Sequence, residues 1–280
     1  MDLKKKVDQL LQELKLGKFS KVISDTEKLL KKNQDKGYLF NICGLAHQRL
    51  NNIETSINYF NKAITIEPKN LGHKNNLANS FISQCRYKEA EDIFKKILAL
   101  DSRNTPALVN YARLKNILLD FKKSINLYEN ALKLIKNDLG IWLNLGSVYQ
   151  SIGEFNKANN IFDNILKVKP NFVPAHVSIS KVNDYNENKS NLSLMLNLYK
   201  NNNLDKKEKS DLEFAIGKAY DDQKNYELSI KYFESANKKR KELVNYNFKS
   251  DEKLFKSIKN YFQNIDLSKI KKEKNSKKII

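Results

Sequence analysis

Cysteine, proline, glycine and arginine are all scarce in this 280-residue chain. The two cysteines, Cys43 and Cys85, lie far apart, which rules out a disulfide framework and fits a reducing compartment. No apolar run approaches the roughly 18 residues needed to cross a bilayer, so membrane insertion is not expected. The N-terminal MDLKKKVDQLLQELKLGKF alternates charge and leucine at helical spacing and lacks the apolar core and small-residue cleavage site of a secretion signal. A soluble, cytoplasmic protein is the expectation. Arginine supplies only five of the 51 basic residues, although it is the side chain best suited to base and phosphate forks. The formal charge of +19 therefore reads as lysine on solvated helix faces, and nucleic acid is not the expected partner. Abundant Lys, Asn and Ile together suit an AT-rich coding sequence.

What is present is a period. At 40% hydrophobic and 30% charged residues the composition is that of a folded chain. The stretch GIWLNLGSVYQSIGEFNKA at residues 140–158 holds three of the eight glycines within a helical spacing of apolar residues. The same pattern recurs every 34 residues: Gly44, Ala78, Ala112, Gly146 and Ser180 keep this step, as do Phe60, Phe94, Tyr128 and Phe162. Pro68 and Pro170 share one phase, with Ser102 and Lys136 between them. Gly17 and Phe19 match Gly153 and Phe155, which carries the register back to residues 3–36.

Each unit reads as two helices joined by a tight turn. Small residues let the first helix approach the second, which plugs back with an aromatic ring. Phe40, Leu108 and Trp142 fill the space beside that contact. Gly17 and Gly153 fall at the bend, where a left-handed backbone is cheapest for glycine. Pro68 and Pro170 stop second helices, while Pro106 and Pro174 sit at helix starts, where proline is tolerated.

This pattern resembles the tetratricopeptide repeat (TPR) family, and implies an all-α fold, a right-handed superhelical solenoid of antiparallel helix pairs. The resemblance covers residues 3–172 as five units in register, with a further unit at 210–243 carrying Gly217, Tyr220, Tyr226, Phe233 and Ala236. Residues 173–209, with the polar runs NDYNENKSN and KNNNLDKKEK, are expected to form a degenerate helical pair. Residues 250–264 suggest an amphipathic capping or connecting helix and 265–280 a basic linker tail.

No catalytic constellation stands out. His47, His73 and His176 are scattered without a second ligand at metal-binding spacing, so no metal is expected. By the repeat, His47 replaces an aromatic ring, His176 a large packing residue, and Cys43 stands where Leu77 and Leu145 pack. The glycines are not a phosphate loop: GKF at 17–19 and GKAY at 217–220 lack the upstream glycine and the hydroxyl such a loop needs. The chain is not expected to be an enzyme or to hold a cofactor.

One polar series remains. Asn76, Asn110 and Asn144 keep the 34-residue step on the first helix of their units, which in such repeats lines the inner groove. A primary amide both donates to and accepts from a peptide backbone, so a row of them suits an extended polypeptide of loosely specified sequence. The row resembles the asparagine ladder in the repeats of O-linked N-acetylglucosamine transferases. Abundant asparagine and hydrogen bonds within the groove are the alternative reading, and Asn41 and Ser178 break the series at its ends.

From Asp211 onward the sequence is similar to the last repeat of bacterial TPR–sulfotransferase proteins. Phe214, Gly217, Lys218, Tyr220, Asp221, Asp222, Tyr226, Phe233, Asn237, Arg240, Tyr246 and Asp251 carry that likeness. It implies the substrate-recruiting arm of a sulfotransferase of the protein-tyrosine type that uses 3'-phosphoadenosine 5'-phosphosulfate. The strand and phosphosulfate loop of that family would begin where this sequence reaches SKKII, so a truncated product is expected. A freestanding adaptor with a frayed basic tail is the alternative.

Overall fold

The computed structural model of the chain describes residues 3–186, 190–200, 203–244 and 248–263. Among them are fifteen α-helices and no strand, in two compact units divided between Asn183 and Asp184. The first unit holds α1 (Leu3–Lys15), α2 (Phe19–Leu30), α3 (Gly37–Arg49), α4 (Ile53–Ile66), α5 (Leu71–Ser83), α6 (Tyr87–Leu100), α7 (Thr105–Ile117), α8 (Phe121–Leu134), α9 (Leu139–Ser151), α10 (Phe155–Val168) and the short α11 (Val173–Ser180). The second holds α12 (Ser190–Lys200), α13 (Lys206–Asp222), α14 (Tyr226–Leu243) and α15 (Phe248–Gln263).

Within the first unit each helix packs on its sequence neighbours, and the odd-numbered helices also touch one another. The backbones of the even-numbered helices do not approach one another closely among the described residues. The odd helices therefore form the closer, inner layer and the even helices splay outward. A Cβ on Gly146 would lie 2.4 Å from Phe162, and one on Gly44 would lie 2.6 Å from Phe60. Both rings are fully buried, as is Phe94 on the second helix of its own pair. Burying each such ring contributes about 2–3 kcal/mol. The small residue on the first helix is what gives the ring room.

The bend between the two helices of a pair has one residue in the left-handed region. It is Gly17 (φ 75°) and Gly153 (φ 79°), but also Asn51, Cys85 and Leu119 at the intervening 34-residue steps, and Lys224 in the second unit. The fold imposes this conformation whatever residue stands there. Three inner helices of the first unit begin with the same device: Asn70 accepts from Gly72 N–H, Asn104 from Ala107 N–H and Asp138 from Ile141 N–H. Each satisfies a backbone donor that the first turn leaves open.

In the second unit α13 starts with a capping box, in which Asp205 accepts from Glu208 N–H while the Glu208 side chain accepts from Asp205 N–H. Helix α13 pairs with α14 as the repeat requires, Gly217 facing Phe233. Helix α15 forms but packs on no other helix among the described residues, and Leu254, Phe255, Tyr261 and Phe262 remain exposed. Amphipathicity predicts that a helix has an apolar face and not which surface receives it. The expected tail at 265–280 and residue 264 lie outside the described residues.

Candidate inner-face binding site

Helices α3, α5, α7 and α9 carry the asparagine series side by side. Asn76 Nδ2 donates to Asn41 Oδ1 at 2.9 Å, joining α5 to α3. Asn110 Nδ2 donates to Asn75 Oδ1 at 3.1 Å, joining α7 to α5. Arg113 Nη2 donates to Asn79 Oδ1 at 3.0 Å, and Gln48 Nε2 to Ser80 Oγ at 2.9 Å. Each bond links one inner helix to the next, so the inner layer is stitched by polar side chains. Asn41, which breaks the numerical series, is thereby part of the network, one residue out of phase.

Asn144 differs from the other two: it is exposed, while Asn76 and Asn110 are half-buried. Asn110 and Asn144 meet at a hollow of about 360 Å³ on the inner layer, lined also by Thr105, Pro106, Val109, Asp138 and Ile141. An apolar floor edged by amides can take a side chain while the amides hold the backbone that carries it. A larger hollow of about 530 Å³ lies among α8, α9 and α10, around Trp142, Tyr149 and Lys157. It has none of the amide series.

The histidines are not all isolated. His73 Nε2 lies 2.8 Å from Glu67 Oε2, and His176 Nε2 lies 2.8 Å from the Pro170 carbonyl, both structural contacts of buried rings. Burial alone would raise the Glu67 pKa, yet hydrogen bonds from His73 and Asn70 hold it below its ordinary value. His47 breaks the expectation that no histidine has a second ligand nearby. Its ring nitrogen, the Cys43 thiol and a Glu27 carboxylate oxygen all lie within 4.8 Å of one another. The signal was a cysteine and a histidine four residues apart on one helix, hidden because both positions read as packing positions of the repeat.

The tetratricopeptide repeat family model matches residues 39–70, 139–172 and 214–238. Over these residues the chain is similar to tetratricopeptide repeats. A tetratricopeptide repeat protein from Parabacteroides merdae superposes with a TM-score of 0.62 at 14% identity, covering 89% of this chain and 96% of that one. TTC0263, a thermophilic TPR protein of Thermus thermophilus, gives 0.57 at 17% identity, covering 62% and 95%. Pseudomonas aeruginosa pilF gives 0.56 at 18% identity, covering 79% and 97%. At these identities the likeness is one of fold. No curated protein matches the sequence significantly. No described helix is long and apolar enough to cross a membrane.

Proposed function

We propose that the chain is a scaffold whose inner face holds an extended segment of a partner polypeptide. The observation that carries this reading is the row of amides on α3 to α9, ending at the hollow shared by Asn110 and Asn144. Each amide that spends one N–H on its neighbour keeps a second N–H and carbonyl lone pairs for a peptide backbone. Asn144 commits nothing to a neighbouring helix and is the amide most available to a ligand. A peptide array screened at two salt concentrations tests the reading. Groove binding persists at the higher salt, whereas binding driven by lysine alone collapses as screening rises. Loss of each amide costs about 1 kcal/mol of affinity. Unchanged affinity in the Asn76→Ala/Asn110→Ala/Asn144→Ala variant removes the ladder from the account.

The finer reading is that this scaffold recruits substrate for a sulfotransferase within the cytoplasm. It rests on the residues from Phe214 to Asp251 that resemble TPR–sulfotransferase proteins. Several of them also serve the last helix pair: Gly217 faces Phe233, Lys218 pairs with Asp222 at 2.5 Å, and Arg240 with Asp211 at 3.1 Å. Coding sequence continuing in frame into a strand and phosphosulfate loop supports the arm. A stop codon with no such segment favours the adaptor. The chain itself is expected to transfer no sulfate.

A further inference from the structure

We infer that Glu27, Cys43 and His47 form a zinc-type transition-metal site on the first unit. Cys43 and His47 are four residues apart on α3 and so share one face, while Glu27 reaches them from α2. Their ligand atoms all lie within 4.8 Å of one another. A tetrahedral ion at ordinary Zn–S, Zn–N and Zn–O distances needs them about 3.3–3.8 Å apart. Small rotations of three side chains close that difference. Thiolate, imidazole and carboxylate are the donors a borderline-soft divalent ion prefers, and together they supply two negative charges to one M²⁺.

Three independent details fit this assignment. The His47 Nε2 atom is buried and has no hydrogen-bond partner, an exception that a metal would explain. His47 Nδ1 lies 3.5 Å from the Asn52 side-chain amide, and Tyr59 O–H donates to Glu27 Oε1 at 3.0 Å while its ring stacks on His47. These are the outer contacts that orient metal ligands. Glu27 and Tyr59 also line a hollow of about 470 Å³, which offers an ion a path to the site. Lys31 and Lys62 stand on the same hollow, so the ion must be held by direct coordination rather than drawn in by field.

The repeats supply their own comparison. At the corresponding steps the three places hold Asn61, Leu77 and Phe81, then Lys95, Tyr111 and Lys115, then Glu129, Leu145 and Tyr149. Among these steps only the junction of the first and second repeats gathers three ligands, so packing alone does not require them. A coordinating histidine is neutral and a coordinating cysteine is a thiolate. On coordination the S–H bond breaks, the proton leaves to solvent and the S–M bond forms. Three protein ligands leave the fourth position for water or a small solute.

The test is titration of the full chain with Co²⁺, reading thiolate-to-cobalt charge transfer in the near ultraviolet and the visible bands of a tetrahedral ion. Saturation at one ion per chain, reversed by Zn²⁺, is expected. Cys43→Leu should abolish the charge-transfer band, and His47→Phe and Glu27→Gln should each weaken binding about tenfold or more. Cys85→Ser should change nothing. Leu77 and Phe81 occupy the matching places in the next repeat, so the first two variants keep the helix pair, and circular dichroism checks that they do. Absence of the band in the parent chain, its survival in Cys43→Leu, or its loss in Cys85→Ser overturns the assignment.

Discussion

The helix pairs of the first unit and the α13–α14 pair of the second solve one packing position in opposite ways. Four residues before the small residue of the contact, the first unit places Phe40, Leu108 and Trp142, with Lys74 at the step before Ala78. At the same place α13 carries Glu213, which is fully buried. Its Oε1 accepts from Tyr199 O–H at 2.5 Å, Ser235 O–H at 2.8 Å and Lys239 N–H at 2.8 Å. Burial pushes the Tyr199 pKa up to about 12, aided by the bond to Glu213. A carboxylate can thus stand where the repeat expects an apolar side chain, provided that α12 and α14 bring donors to it. The lesson is that the 34-residue period fixes geometry at each position more firmly than it fixes chemistry.

Removing the donors should break this equivalence most severely. Lys239→Met leaves a buried carboxylate without its cation and should destabilise the second unit by about 3–5 kcal/mol in chemical denaturation. Glu213→Leu combined with Lys239→Met restores the apolar solution of the first unit and should recover much of that loss. If the double variant is no better than the single one, the two positions are not equivalent.

The next effect probes what the units share. Gly146→Ala places a methyl group 2.4 Å from the Phe162 ring and should cost about 1–3 kcal/mol, as forced repacking does. A neutral result would mean that the small residue is not what admits the ring.

A smaller effect separates the polar contacts of the two units by pH. Burial would raise the pKa of Glu91 on α6, but hydrogen bonds from Lys95, Lys115 and Tyr111 outweigh it and bring the value down to about 2. A carboxyl depressed on folding contributes stability that is fully present above its unfolded pKa of about 4.5 and is lost as pH falls toward 2. The contribution is on the order of 1–2 kcal/mol after allowance for solvent screening. Glu91→Gln should therefore flatten the acid limb of the first unit's stability in that window and leave neutral pH behaviour nearly unchanged beyond the lost ion pairs.

The smallest effect is a gain. Leu119 holds a left-handed backbone at φ 59° with its side chain largely exposed, in the place where Gly17 and Gly153 stand in other repeats. Leu119→Gly should stabilise by about 0.5–1 kcal/mol, since relief of backbone strain outweighs a small lost contact.

These positions also show what the sequence made legible. The helix pairs, their small-against-large contacts and the placement of every proline follow from the 34-residue step, because packing against a neighbouring copy constrains those sites alike. The bend was readable only at Gly17 and Gly153, since Asn51, Cys85 and Leu119 adopt the same conformation without the residue that announces it. The caps at Asn70, Asn104 and Asp138 keep the period but look like ordinary solvated side chains until the helix start is fixed. The asparagine row was visible, but its bonding was not: Asn41 and Asn75 accept from the next helix through a one-residue offset that strict periodicity skips. Glu213 and the Glu27, Cys43 and His47 group escaped for the reverse reason. A search for likeness between repeats passes over the places where one repeat departs from the rest.

The claim most in need of a direct measurement is that the inner layer is the binding face. Side-chain amide signals of the asparagines, followed by NMR during titration with the tightest peptide from the array, report on it residue by residue. The account predicts shifts at Asn76, Asn110 and Asn144, largest at Asn144, with the hollow around Trp142 unaffected. Shifts confined to the Trp142 indole and its neighbours, with the three amides unmoved, would contradict it.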